Sequence, residues 1–316
     1  MRVLHDVNTW LTVAALAALF LADAPLPFAG ALRAAAETLT GLVRIEDERT
    51  RFSVVFMVLA QMVLESAFWI LVSGIKIAER FNMLRDYKLQ SINAPDELTK
   101  EAAQSALVSH WLIRPVALTA LFYFALFDRS PLITDELPKA RFALPRLFVC
   151  MLIDDTYFYW AHRACHTKHL YAAIHKKHHQ FHTPNVWATE WAHPIEDIFV
   201  NSAGTVLGPV LLGLHPILAI IYVAMKLYQS LEAHSGYNIP FPFSISSVID
   251  CMDCAPAHDF HHSANLGNFG GFFMFWDWIC GTDAAYKRAV MTKKAETIAY
   301  RTARRPYEHD AMYEKR

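Results

Sequence analysis

The chain has 316 residues, enough for one large domain or two small ones. It is 54% hydrophobic with a mean hydropathy of +0.20, too apolar for an ordinary soluble enzyme and pointing to a membrane protein. The net charge of −1 offers no electrostatic basis for binding nucleic acid, and the five cysteines (150, 165, 251, 254 and 280) form no disulfide framework.

In chain order, Val7 to Leu21 is apolar with Arg2 as the only basic residue and no small-residue cleavage site after it, which predicts a retained membrane-associated helix. Phe52 to Gly74 is a 23-residue apolar run interrupted by Gln61 and Glu65. At about 1.5 Å per residue it spans a bilayer core, so it reads as a transmembrane helix. Glu65 is then an intramembrane acid, serving either function or contact with a neighbouring helix. Ile75 to Lys100 is a charged, amphipathic connector with a break at Asn93-Ala94-Pro95. Leu107 to Phe127 is the second predicted span, with Arg114-Pro115 as a kink or an end. Phe142 to Trp160 is the third, with Asp154-Asp155 near its end either supporting a ligand or sitting at the interface. Ile198 to Tyr228 is apolar but broken by Gly204, Gly208-Pro209, Gly213 and His215-Pro216, which predicts a helical hairpin or a tilted pair. From Met291 onward the chain is polar and basic, as expected of a cytosolic tail.

Ten histidines form a pattern across this frame. His162-Arg-Ala-Cys-His166 is an HxxxH; His175-Lys-Lys-His178-His179 and His258-Asp-Phe-His261-His262 are both HxxHH; His193 and His234 lie between them. On a helix, positions i, i+3 and i+4 share a face. The i+3 and i+4 rings nevertheless diverge around the axis, which suits two neighbouring metal ions better than one. Imidazole is a good ligand for iron, copper and zinc. One such cluster can be a solvated histidine face, but three in a largely apolar chain point to a metal centre. A histidine-lined metal transporter would scatter these residues within the spans, whereas here they cluster outside them; a non-catalytic receptor or scaffold would consume no O2. His193 and His234 flank the 198–228 stretch, and both can join one site only if the chain returns to the side it left. Cys251-Met-Asp-Cys254 is a CxxC with no second pair to complete a zinc site, and reads as incidental reduced thiols or, alternatively, a redox motif.

The strings Phe158-Tyr159-Trp160-Ala161-His162-Arg163, His175-Lys176-Lys177-His178-His179, Trp191-Ala192-His193-Pro194-Ile195-Glu196, His234-Ser235-Gly236-Tyr237-Asn238-Ile239-Pro240, His258-Asp259-Phe260-His261-His262 and Trp276-Asp277-Trp278-Ile279-Cys280-Gly281-Thr282-Asp283 carry a resemblance. Together they resemble the fatty acid hydroxylase/sterol desaturase superfamily of membrane-bound non-haem di-iron oxygenases, and within it the C4-methylsterol monooxygenase branch. The resemblance runs from about Phe142 to Tyr286. It implies an all-α, multi-pass membrane protein with a cytosolic helical cap carrying a histidine-rich di-metal site. Membrane helices and connectors would occupy 1–141, the catalytic region 142–286 and a basic polar tail 287–316.

Carried over position by position, the catalytic ligands of two iron ions would be His162, His166, His175, His178, His179, His234, His258, His261 and His262, with His193 as either a tenth metal ligand or a structural histidine capped by Pro194. His169 and His182 would be hydrogen-bonding neighbours, and His5, His110, His215 and His309 have no role assigned. Asp155, Glu190, Glu196 and Asp259 would fix ring tautomers from outside. Tyr157, Tyr159, Trp160, Trp187, Trp191, Trp276 and Trp278 would anchor at the interface or form an apolar lid. The implied reaction oxidises the C4 methyl of a sterol with O2, through alcohol and aldehyde to acid. Electrons would come from NAD(P)H through cytochrome b5 or its reductase, since the chain has no nucleotide-binding motif. The implied place is the endoplasmic reticulum membrane, with a substrate pocket beneath the metals lined from 107–127, 142–160 and 198–228. A sterol desaturase, a sterol side-chain hydroxylase or a lipid hydroxylase is the alternative within the superfamily.

Overall fold

The computed structural model describes residues 12, 14–15, 17–21, 23–239, 244 and 254–303, with side chains omitted at Cys254 and from Lys294 onward. Among these there is no β-strand, only two isolated bridges, Pro25 with Lys139 and Lys88 with Tyr237. The expected helix at Val7–Leu21, the Cys251–Cys254 pair and the tail beyond Ala303 lie wholly or partly outside the described residues.

Helix α1 is Ala29–Leu42 and α2 is Glu48–Arg80. The start of α2 is set by Asp47, whose carboxylate accepts the Thr50 N–H at 2.7 Å; Glu48 in the first turn and Arg80 in the last suit the helix dipole. One face of α2 is buried at helical spacing through Phe52, Phe56, Leu59, Phe68, Val72 and Ile75. Met62, Trp69, Ile70 and Ile77 are exposed on the other side. A helix that is apolar all round belongs in lipid.

Helix α3, Asp96–Leu126, is the second of the two described helices long and apolar enough to cross a membrane, α2 being the first. Arg114-Pro115 does not end it. Proline lacks the N–H that would bond one turn back, and its ring crowds the carbonyl of residue 111. The turn Ser109–Ile113 widens to a π-helix just there, and a second π-turn follows at Phe122–Leu126. Helix α4, Ala140–Cys165, forms where the third span is predicted; with Arg146, Asp154 and Asp155 inside it, it is less apolar than α2 and α3.

The 198–228 stretch is a helical hairpin. Helix α5 runs through Pro194–Glu196, a π-helical segment Asp197–Ser202 and Ala203–Leu211; α6 is Pro216–Ala233. Gly213 turns the chain at φ +52°, where a Cβ would meet the Arg129 carbonyl at 2.3 Å. His215 then caps α6, its Nδ1 accepting the Ile217 N–H at 3.2 Å. Gly208 lets α5 lie against α4, since a Cβ there would sit 2.8 Å from Cys150 Cα. Helices α2, α3 and α6 share one core, in which Phe56 stacks on Phe122 at 4.8 Å beside Leu59, Leu118, Ile217 and Ile220. Beyond the hairpin come α7, Cys254–Ala264, α8, Phe275–Cys280, and α9, Ala284–Ala303; the tail predicted from Met291 is thus helical as far as it is described.

Candidate metal centre

Five chain segments deliver the histidines. His162 sits in the last turn of α4 and His166 is its C-cap. His175 ends a π-turn, Tyr171–His175, and His178 and His179 open a 3₁₀ turn, so the first HxxHH is not a regular α-helix. His234 is the C-cap of α6, and His258, His261 and His262 lie on α7. The nine converge as two adjacent sets: His162, His166, His175, His179 and His261 in one, His178, His234, His258 and His262 in the other. Each HxxHH is divided between the sets, as the divergence of i+3 and i+4 rings requires. His179 and His262, one from each set, have ring centroids 4.8 Å apart.

The inner nitrogens face one another. His175 Nε2 lies 3.2, 2.9 and 3.0 Å from the Nε2 atoms of His162, His166 and His179. In the second set His234 Nε2 lies 3.3 Å from His178 Nε2 and 2.9 Å from His258 Nε2, with His262 Nε2 3.2 Å from His258 Nε2. The outer nitrogens explain which form these rings take. The Nδ1–H groups of His162, His178, His234, His261 and His262 donate to the carbonyls of Phe269, Trp191, Ser230, Gly267 and Phe181, and that of His175 to Glu196 at 2.7 Å. A neutral imidazole that donates from Nδ1 has only a lone pair at Nε2. His261 Nε2 is buried with no partner at all. Lone pairs packed this closely repel unless a cation lies among them. Two nitrogens about 2.1 Å from one ion and at right angles lie about 3.0 Å apart, which is the spacing seen. The residues therefore fit a pair of metal ions.

Electrostatics agree. Burial first, then the neighbouring imidazoles, hold His162, His258, His261 and His262 well below the usual histidine range. Burial brings His178 to about 4 and His234 to about 3, so these rings are neutral and ligand-ready at pH 7. Glu196 goes the other way, pushed up to about 8 by burial with the Asp197 charge second.

His193 stands apart from the nine. Its Nδ1 accepts the Ile195 N–H at 3.2 Å, capping α5 ahead of Pro194, so the ring is used at a helix start rather than turned to the cluster. Of the four acids expected behind the ligands, only Glu196 contacts one. Asp155 accepts the backbone N–H groups of Gly271, Phe272 and Phe273, which sets the loop that presents the Phe269 carbonyl to His162. Asp259 takes Gln90, and Glu190 belongs to a cluster that sequence reasoning missed. There Arg114 lies 2.9 Å from Glu65 and 3.2 Å from Glu190, with fully buried His110 3.1 and 3.2 Å from the same two acids. Glu65, an acid in a predicted span, was the signal for it.

A cavity of about 510 Å³ reaches the cluster. Leu118 and Leu121 of α3, Val206 of α5, Val223 and Leu227 of α6 and Phe158 of α4 line it, and His162, His175, His178, His234 and His258 form part of its wall. It draws on the three stretches expected from sequence. Such a volume suits a small organic ligand.

A model of the fatty acid hydroxylase family matches residues 147–282, a range that contains all nine converging histidines. The chain is 34% identical to methylsterol monooxygenase 1 of Rattus norvegicus over 220 residues, 67% of this chain and 74% of that protein. It is 32% identical to methylsterol monooxygenase 2-2 of Arabidopsis thaliana and 33% identical to a very-long-chain aldehyde decarbonylase of Oryza sativa subsp. indica. Each of these alignments covers 73% of this chain and 86% of the relative. No solved structure matches the chain.

Proposed function

The chain belongs to the fatty acid hydroxylase family and is an O2-dependent oxidoreductase of the membrane, and from that premise we propose that it oxidises the C4 methyl group of sterol intermediates using two iron ions. The observation that carries this reading is the cavity: a largely apolar chamber with five imidazoles in its wall, between helices α3, α5 and α6. A sterol is an apolar, bilayer-borne substrate, and such a chamber lets it approach the histidines without leaving an apolar environment.

Breaking an unactivated methyl C–H bond is beyond side-chain acid–base chemistry, and bound iron would supply the activation of O2. The protein's part is to orient and to exclude water. The five backbone carbonyls and Glu196 hold six imidazoles in one tautomer with Nε2 inward. Nine uncharged donors leave a loaded centre cationic, and burial of eight of them keeps bulk water from it. Phe158 and the aliphatic residues of α3 and α6 hold the reacting end of the substrate against that wall. Electrons would come from NAD(P)H through cytochrome b5 or its reductase at the endoplasmic reticulum, the histidines lying on the cytosolic side.

The test is product identity. Membranes containing the protein, supplied with NAD(P)H, O2, cytochrome b5 and its reductase, should oxidise a 4,4-dimethylsterol at one C4 methyl. A new ring double bond or side-chain hydroxyl with both methyls intact would assign a different sterol reaction. Loss of the carbonyl carbon from a long-chain aldehyde, with sterols untouched, would place the chain with its rice relative instead.

A further inference from the structure

The cavity wall contains two cations, and they are not equivalent. Arg114 is held between Glu65 and Glu190, two carboxylates for one guanidinium. Lys226, on α6, is ion-paired with one carboxylate, its Nζ 3.2 Å from Asp154 of α4, while neighbouring Asp155 is taken up by three backbone N–H groups. The Lys226–Asp154 pair is an ion pair without hydrogen-bond alignment, and both Asp154 oxygens are buried, with the Tyr222 hydroxyl as their other polar neighbour. Two ring faces also flank the ammonium, Phe158 at 5.0 Å and Phe272 at 4.4 Å. An ammonium has three N–H donors, and rings accept them weakly. Lys226 therefore has donor capacity to spare in the wall of a largely apolar chamber.

The backbone makes room for this pair. A Cβ on Gly204 would sit 2.8 Å from Asp154 Oδ1, and a Cβ on Gly271 would sit 3.1 Å from Lys226 Nζ. The position is also close to the metal ligands. Phe158 lies between, its centroid 5.0 Å from the ammonium and 5.1 Å from the His162 ring, so no more than about 10 Å separates Lys226 Nζ from that imidazole. A methyl group held at the histidines would leave an oxygen three bonds away in the space between that wall and Lys226.

We propose that Lys226, backed by Asp154, is the specificity-determining donor for an oxygen substituent on the carbon next to the one that bears the oxidised methyl group. Given the function proposed above, on which this rests, that substituent is the 3-hydroxyl of a sterol, one carbon from C4. The hydroxyl accepts from Lys226 Nζ, which fixes the depth and rotation of the ring system so that a C4 methyl faces the histidines. Arg114 cannot serve, because Glu65 and Glu190 already occupy it.

The test is binding, measured without reductant so that no turnover occurs. Metal-loaded protein in detergent is titrated with a 4,4-dimethylsterol and with its 3-deoxy counterpart. The unmodified protein should prefer the alcohol by about tenfold, the scale of a hydrogen bond to a charged donor. Lys226→Met should bring the two ligands within about twofold by weakening the alcohol alone, with metal content unchanged, and Lys226→Arg should restore most of the preference. Should Lys226→Met fail to fold because Asp154 is left unpaired, Lys226→Met combined with Asp154→Asn removes both charges and gives the same reading. A preference that survives in these variants, or an equal loss for both ligands, overturns the inference. Unmodified protein that binds both ligands equally overturns it alone; unmodified protein that binds neither overturns the sterol reading with it.

Discussion

Glu196 Oε1 accepts from His175 Nδ1 at 2.7 Å, and the other nitrogen of the same ring is the hub of the first histidine set, within 3.2 Å of three further Nε2 atoms. One buried carboxylate thus orients the ligand that touches most of its neighbours.

Removing that carboxylate should loosen the metal without dismantling the fold. Glu196→Ala is expected to weaken metal affinity about 10- to 100-fold, with Glu196→Gln intermediate because its amide oxygen still accepts from Nδ1–H. Competition against a chelator of known affinity, read by metal analysis, checks this; an unchanged affinity would show that the contact does not tune the site.

The nine converging histidines and His193 should behave differently on truncation. His162→Ala, His261→Ala or His262→Ala removes a donor from the cluster, and bound metal should fall below the two ions per chain expected of the unmodified protein. His193→Ala should keep both ions and lose about 1 kcal/mol of stability, the worth of a helix cap. Metal content and thermal midpoint of each variant in detergent give the two readouts together.

Acid should destabilise the metal-free protein. His178 and His234 titrate at about 4 and about 3 when folded, against about 6.5 when unfolded. The unfolded chain then binds more protons as pH falls through 6.5, so their contribution is complete above 6.5 and is lost down to the folded values. Glu196, raised to about 8, and Asp259, raised to about 6, work in the opposite sense, but they are outnumbered by nine depressed histidines. The thermal midpoint at pH 5 should lie below that at pH 6.5, and a rise on acidification would contradict the burial of neutral rings.

Arg114→Met should be among the most damaging changes away from the metals. It leaves two buried acids, Glu65 and Glu190, with His110 as their one remaining basic neighbour, at a cost of about 3–5 kcal/mol. Adding Glu65→Gln and Glu190→Gln should recover much of that loss, because the uncompensated charges go with it. Midpoints in detergent for the single and triple variants decide the matter: no recovery would mean that Arg114 acts through packing rather than charge.

The parts of this architecture that were legible from sequence are those with short-range signatures. The HxxHH spacing carries its own division into two sets, because i+3 and i+4 rings diverge, and Gly213 with His215-Pro216 announces a tight return between helices. His193-Pro194 carried a second signal beside the ligand reading, that of a structural histidine: a polar residue before proline at the first helical position is a cap, and His215 does the same for α6. What was hidden was assembled across the chain. Glu65, His110, Arg114 and Glu190 come from three segments, and only an acid in an apolar span hinted that partners must exist. The π-turn that carries α3 through Pro115 has no local sequence code either, since it relieves a clash that exists only once the helix is built.

Five of the six described Nδ1–H contacts end on main-chain carbonyls, and one ends on a side chain. No substitution deletes a carbonyl. The electronic character of those five donors is therefore written into the path of the backbone, while Glu196 is the one of the six acceptors that a single codon can remove outright. A lineage or a laboratory seeking a different metal, or a different redox poise, from this scaffold has one inexpensive dial among those six contacts; every other adjustment requires a loop to be rebuilt.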